Sequence, residues 1–275
     1  MNGVLYVVAT PIGNLDDITL RAIKVLQEVD IIAAEDTRHT LKLLNHLEIS
    51  KPLISYYKQT EKIKTEVLIE KLKAGKNIAL VSDAGTPVIS DPGEEVVKVA
   101  LENGIKVVPV PGPCALITAL IASGIGAKEF CFIGFLSVNK KEKRDKLTEL
   151  KDETKTLIFY EAPHKLISTL EEMKNIFGDR KICLARELTK IHEEFLVDNI
   201  SSFLNNITEP KGEFVIVVEG NGLNKKQIEI NKLNSMTVEE HYKYYEQMGY
   251  EKKEIIKQVA KDRNVNKNEI YKLFI

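Results

Sequence analysis

The sequence predicts an α/β protein: two α/β domains with a ligand cleft between them, and a short helical extension at the C-terminus. Two observations carry this. Apolar, β-rich runs alternate with segments of helical spacing from the first residues onward, the pattern of a mostly parallel sheet covered by helices. Two strand-to-helix junctions, Thr10-Pro-Ile-Gly-Asn14 and Ser82-Asp-Ala-Gly-Thr-Pro87, place small residues, Pro and Gly where a backbone turns and a ligand approaches. Such junctions build clefts at the carboxyl ends of parallel strands.

Taken in order, Val4–Ala9 is a β-rich run, and Ile18–Val29 puts Leu20, Ile23 and Leu26 on one side of a helix. Asp30–Ala34 is a strand, Thr37–Leu47 a helix and Leu53–Ser55 a short strand. Glu61–Ala74 is a charged helix ended by Gly75, and Asn77–Ser82 a buried strand. Asp91 reads as an N-cap, with Pro92 at the first helical position and Glu94 completing a capping box for a helix that runs to Gly104. Val107–Pro109 and the small-residue helix Pro113–Ser123 complete a first domain over residues 1–124.

The second domain, 125–222, contains strands at Phe130–Gly134, Thr156–Tyr160, Lys181–Ala185, His192–Asn199 and Glu213–Val218, with helices at Asn139–Glu153 and Lys165–Phe177. The later strands alternate polar and apolar residues, which predicts a mixed or antiparallel sheet. The polar stretch Asn221–Gln227 reads as a linker opening the extension, 223–275. Helices at Thr237–Met248, Lys252–Arg263 and Asn266–Leu273 then resemble a helix-turn-helix element. A helical cap or dimer contact and a nucleic-acid contact both remain open for it.

Composition narrows the function. The 275 residues carry 39 Lys+Arg against 40 Asp+Glu, a net charge of −1, so no global basic field attracts nucleic acid and any RNA contact needs a local basic surface. No apolar stretch is long enough to cross a bilayer, and the N-terminus lacks the basic region of a signal peptide. A cytoplasmic location is expected. Cys114, Cys131 and Cys183 are scattered, and neither they nor the five histidines show metal-ligand spacing. No metal is expected.

Several polar segments follow strands. Glu35-Asp-Thr-Arg38 offers adjacent carboxylates and a guanidinium, suited to acid–base work or a polar substrate, and Asp36 equally suits a helix N-cap. Pro109-Val-Pro-Gly-Pro-Cys-Ala115 is a stiff wall rather than a flexible loop. Tyr160-Glu-Ala-Pro-His-Lys165 presents Glu161 at a strand end, with Pro163 starting a helix. Ala185–Glu194 mixes Arg, Lys and acids, either a solvated loop or the lining of a site for a phosphate-bearing substrate. The runs Lys140–Arg144 and Lys252-Lys253 suit phosphates or solvated helix faces.

Seven segments in order resemble the tetrapyrrole methylase superfamily, and within it the branch that acts on ribosomal RNA: Thr10–Leu15, Glu35–Arg38, Ser82–Pro87 with Ser90–Gly93, Pro111–Ala115, Phe132–Leu136, Glu161–His164 and Arg186–Lys190. The resemblance implies S-adenosylmethionine as methyl donor, held between two α/β domains. It implies 2′-O-methylation of a cytidine ribose in the decoding centre of 16S rRNA, by a homodimer. With net charge near zero, assembled 30S particles are expected to be better substrates than short oligonucleotides, because they supply shape. Carried over residue by residue, the donor contacts fall on Pro11, Asp83, Ala84, Gly85, Val88, Cys114, Ala115, Glu161 and Leu188. Cys114, Glu161 and Leu188 depart from the superfamily pattern, so contacts there are expected to be mostly backbone or altered. Its acid near the second strand falls on Glu35, beside Asp36. These two lead as candidate bases, followed by Glu161 and Glu187, while Arg38, Arg186 and Lys190 would hold phosphates or the 2′-oxygen. A small-molecule methyltransferase of the same superfamily and a non-catalytic RNA-binding module are the competing readings.

Overall fold

In the computed structural model, residues 1–207, 209–222 and 225–274 are described, the side chains of 225–229 excepted. The chain forms two units, one of Met1–Leu147 with Thr156–Glu219, the other of Thr148–Lys155 with Gly220–Ile275.

The first unit opens with β1 (Val4–Val8), α1 (Leu20–Glu28), β2 (Ile31–Ala34), α2 (Thr37–His46), β3 (Leu53–Ser55), α3 (Glu61–Lys73), β4 (Ile78–Val81), α4 (Glu94–Glu102) and β5 (Lys106–Val110). The five strands pair in parallel in the order β3-β2-β4-β1-β5. All four residues of β4 are buried, as expected for a strand covered on both faces. One core holds Val8, Leu26, Ile32 and Val81, and the other holds Leu5, Leu68, Leu72 and Leu80. Because the strands run the same way, the segments after β1, β2, β4 and β5 all emerge at one sheet edge.

Next come α5 (Ala115–Ala122), β6 (Phe130–Phe135), α6 (Lys140–Glu149), β7 (Thr156–Glu161), α7 (Pro163–Phe177), β8 (Lys181–Arg186), β9 (Glu194–Asn199), α8 (Ile200–Asn206) and β10 (Phe214–Val218). This second sheet has the order β6-β7-β10-β8-β9; β6 and β7 are parallel and the other pairs antiparallel. The sheet is mixed, as the alternating strands predicted. Helix α5 leaves the first sheet and packs on the second, with Leu116, Ala119 and Leu120 against Ile158, Val215 and Val217.

Three expectations are corrected. Asp91 does not cap α4. The cap is Gly93 at φ +137°, and the helix starts at Glu94. A Cβ at position 93 would stand 2.8 Å from Leu80 Cδ2 and 2.9 Å from Val88 Cγ2, so only glycine fits the turn. Helix α8, which the sequence reading passed over, is one short span with Ile200 and Phe203 buried. Part of the expected linker is helical: α9 (Lys225–Asn234) begins inside it, and positions 223–224 lie outside the described residues.

The second unit adds α10 (Val238–Gln247), α11 (Lys252–Asp262) and α12 (Lys267–Lys272). Thr237 and Glu240 form a capping box on α10, worth about 1 kcal/mol for such caps. Ile255, Ile256, Val259, Ala260 and Ile270 make its core. Polar groups are buried beside that core. His241 is fully buried, and its Nδ1 accepts from Arg263 Nε at 3.2 Å. Arginine can only donate, so the neutral ring carries its proton on Nε2, 3.5 Å from Asp262 Oδ2. Asp262 also accepts from the Tyr245 hydroxyl (2.7 Å) and Gln258 Nε2 (2.9 Å). Among the described residues no helix is long and apolar enough to cross a membrane.

Candidate active site

A cavity of about 620 Å³ lies where the carboxyl-end loops of the first sheet meet the second sheet, all within the first unit. Three loops are tied together at its floor. Thr10 and Gly85 exchange backbone hydrogen bonds of 2.8 and 3.0 Å, and Thr86 Oγ1 donates to the Pro113 carbonyl at 3.0 Å. Gly85 sits at φ +83°, and a Cβ there would stand 3.2 Å from Ile12 Cγ2. The loop after β4 is unusually strained: Val88 and Ser90 also hold positive φ, at 76° and 67°. A β-branched residue in that region is a genuine outlier, and such strain gathers at functional sites.

The second sheet supplies the opposite wall through Tyr160, Glu161 and Val215, together with Leu188 and His164. Tyr160 packs edge-on against Phe132 and Phe135, with centroids 5.0 and 5.5 Å away. Its hydroxyl accepts from the Leu116 amide at 3.2 Å, which anchors the start of α5 to this wall. The loop after β8, with Glu187 and Thr189 at positive φ, docks on the first loop through the Asn14 amide to Thr189 Oγ1 (3.0 Å). Gly13 makes that docking possible, since a Cβ would come within 2.6 Å of Lys190 Cγ and 2.9 Å of the Leu188 carbonyl oxygen.

Carboxylates dominate the charge. Glu35, Asp83, Asp91, Glu161 and Glu213 line the cavity. Burial raises Glu35 above the usual carboxylate range, and the nearby charges of Asp91 and Asp83 add to it. Burial likewise raises Asp91. Glu161 is held otherwise: its Oε1 accepts from the Ala162 amide (2.9 Å) and its Oε2 from the Thr169 hydroxyl (2.6 Å), which accepts in turn from Lys143 Nζ (2.6 Å).

The chain matches the tetrapyrrole (corrin/porphyrin) methylases over residues 4–204. It is 50% identical to ribosomal RNA small subunit methyltransferase I of Halalkalibacterium halodurans, across 99% of this chain and 94% of that one. It is 51% identical to the Bacillus subtilis protein of the same name, across 98% and 93%. The chain belongs to the tetrapyrrole methylase family. In three dimensions it is similar to a Thermus thermophilus uroporphyrin-III C-methyltransferase crystallised with S-adenosylhomocysteine, with a TM-score of 0.57, 18% identity, and coverage of 79% of this chain and 97% of that one.

As a tetrapyrrole methylase the chain is a methyltransferase, with S-adenosylmethionine as donor. The cavity fits that molecule on its own chemistry. Its volume falls in the range of small-molecule sites. Ile12, Ala84, Ala115, Leu188 and Val215 offer apolar surface, and the Gly85 region leaves backbone open to close approach. The charges of Asp91 and Asp83 add to the burial that raises Glu35, and that of Asp83 to the burial that raises Asp91; a ligand carrying positive charge would relieve that repulsion.

The structure brings Glu35, Asp83, Ala84, Gly85, Cys114, Ala115, Glu161 and Leu188 to the cavity wall. Other residues named from the sequence lie elsewhere. Pro11 is buried beside Ile12. The side chain of Val88 packs toward the first-sheet core. Asp36 caps α2 and clamps Arg38, accepting from its amide (2.8 Å), Nε (3.0 Å) and Nη2 (2.6 Å). That clamp lowers Asp36 to about 2. Glu187 accepts from the Glu213 amide (3.0 Å), which lowers it, and from Lys190 Nζ (3.0 Å); Lys190 also reaches Glu213 at 3.0 Å. Arg186 pairs with Glu194 at 3.3 Å. Sequence reasoning missed Asp91, Tyr160 and Val215. Asp91 carries the local pattern of a helix cap, Tyr160 stands one position before the motif that contains Glu161, and Val215 carries no signal beyond a buried strand.

Proposed function

We propose that this chain methylates the 2′-oxygen of a cytidine ribose in the decoding centre of 16S rRNA, acting in the cytoplasm on the assembled 30S subunit, as a homodimer. The observation that carries the reading is near-full-length identity of 50% and 51% to relatives named for methylating small-subunit ribosomal RNA. Ala84, Gly85, Ala115 and Leu188 would hold the methyl donor.

When bound, S-adenosylmethionine supplies an activated methyl group on a sulfonium whose departure leaves a neutral thioether. The task left to the protein is orientation, which holds the acceptor oxygen in line with the methyl carbon. Glu35 takes the proton of the attacking hydroxyl as the oxygen–carbon bond forms. Its raised proton affinity suits a base better than the strongly acidic Asp36 does. Glu161, with both oxygens already accepting hydrogen bonds, shapes the wall. Arg38, exposed and aimed by Asp36, offers a fixed guanidinium to a phosphate.

Two measurements test this. Mass mapping of 16S rRNA from cells lacking the protein should show the loss of one ribose methyl group. Purified protein should methylate 30S particles well and short oligonucleotides poorly, because the particle supplies shape that a chain of near-zero net charge cannot gather by charge alone. Unchanged rRNA in the deletion strain rejects the assignment.

A further inference from the structure

We propose that the second unit is a module for the backbone of RNA, with Lys253, Lys257 and Lys261 of α11 as its phosphate ligands. The proposal deepens the reading of RNA as acceptor by assigning it a second surface.

The three lysines are spaced four residues apart and all exposed, so they form one straight stripe, about 12 Å long at 1.5 Å per residue. The opposite face of α11, with Ile255, Ile256, Val259 and Ala260, is buried in the unit's core, which fixes the stripe outward. A carboxylate four residues away can offset a surface lysine, as Glu28 does for Lys24 on α1. Here the residues four away from Lys257 are the other two lysines, a repulsive arrangement. The one carboxylate at ion-pairing spacing is Glu254, three residues before Lys257, and it accepts the Glu251 amide in a capping box. Asp262 is buried against His241 and Tyr245. No described residue pairs with any of the three lysines, so their charge stands uncompensated.

The turn after α11 adds the second observation. Asn264 at φ +52° reverses the chain, and Asn266 caps α12 by accepting the Asn268 amide at 2.9 Å. Helix α12 buries Ile270 and exposes Lys267, Lys272 and Tyr271, the last by 49%. An aromatic ring between lysines is the pairing that stacks a base while phosphates are held. A membrane surface fits poorly, because an interfacial helix must expose an apolar face and that of α11 is occupied. The stripe itself is flanked by polar groups, Gln258 and Asn264, while the exposed Val265 and Leu273 lie on the following turn and at the end of the following helix; a protein partner docking there would show as binding that survives loss of the three lysines.

The test uses the full-length chain, a labelled 16S rRNA fragment and a K253Q/K257Q/K261Q variant, with K24Q/K73Q/K98Q as a control that removes the same charge from the first unit. The stripe variant should bind the fragment at least about 10-fold more weakly at moderate salt, and the slope of log K against log salt should fall by ~1 per lysine. The control should keep most of both. Circular dichroism and titration with S-adenosylmethionine should match wild type for both variants. Equal affinity and slope for the stripe variant overturn the proposal, as does stripe-dependent binding to phosphatidylserine vesicles in place of RNA. Stripe-dependent RNA binding without methyl transfer to 30S particles would reject the acceptor reading and leave this module standing. Methyl transfer whose KM ignores the stripe would do the reverse.

Discussion

The Asp36 amide donates to Oδ1 of Asp83 across 2.9 Å. This bond ties the ends of neighbouring strands β2 and β4 and sets the direction in which Glu35, one residue earlier, leaves the sheet. The same Asp83 charge helps burial raise Glu35. A carboxyl raised by its surroundings works as a base only above its own pKa, so the acid limb of turnover should lie higher than an ordinary carboxylate predicts. Glu35→Gln should lower kcat by roughly 10²–10⁴-fold and leave S-adenosylmethionine binding within a few-fold. A variant with normal kcat rules Glu35 out as the base.

Asp36 has a different task. Its pKa of about 2 reflects the hydrogen bonds from Arg38, first its side chain and then its amide, so it is charged throughout any working pH range and takes up no proton there. Asp36→Asn should release the Arg38 guanidinium, raise KM for the RNA substrate several-fold and spare kcat. Steady-state kinetics on 30S particles separates the two. A kcat loss as deep as that of Glu35→Gln would move the base to Asp36.

The floor of the cavity depends on one missing side chain. Gly85 has φ +83° and 3.2 Å of room before Ile12. Gly85→Ala therefore meets both backbone strain, about 1–2 kcal/mol for an L-residue in that region, and a contact that Ile12 must yield. Thermal melting should show the lower stability, and calorimetry should show weaker binding of S-adenosylmethionine. An unshifted melting curve with unchanged affinity would mean that the loop repacks freely.

On the second wall, Thr169 joins Glu161 to Lys143 through two hydrogen bonds of 2.6 Å. Thr169→Val keeps the shape but removes the hydroxyl, leaving a buried carboxylate oxygen with one partner fewer. The cost expected for such a loss is about 1–3 kcal/mol, readable by denaturant unfolding. Thr169→Ser should restore most of it.

The two sheets were legible because burial on both faces writes continuous apolar runs such as Ile78–Val81, which need no partner to be recognised. The site was legible wherever a turn demanded special chemistry, as at Gly85 or the prolines around Gly112. What stayed hidden depended on long-range packing. Asp91 has every local mark of an N-cap, but the helix starts only after Gly93, whose φ of +137° and crowding by Leu80 and Val88 suit a residue without a Cβ, and Asp91 lines the cavity instead. The helix beginning at Lys225 was obscured because its first three residues, Lys225-Lys-Gln227, are polar and its apolar positions, Ile228, Ile230 and Leu233, mix alternating with helical spacing.

The buried His241 makes the second unit sensitive to acid. Burial lowers its pKa, the Arg263 charge lowers it further, and Asp262 opposes both. In the unfolded chain the ring titrates near its ordinary value of 6.5. As pH falls below that value the unfolded state takes up a proton that the folded state refuses. Stability is therefore complete above pH 6.5 and drains away as pH descends toward the lowered folded value, by at most about 1.4 kcal/mol per pH unit for one proton. Protonation would also remove the lone pair on Nδ1 that accepts from Arg263, and the same guanidinium donates to the Thr237 carbonyl at 3.0 Å at the start of α10. Hydrogen exchange of amides in α10 and α11, corrected for intrinsic rates, should show protection falling between pH 7.5 and 5.5. In His241→Gln the side-chain oxygen can accept from Arg263 and the amide can face Asp262, with nothing to titrate, so the pH slope should flatten even if overall protection is lower. A slope equal to wild type would place the acid sensitivity elsewhere.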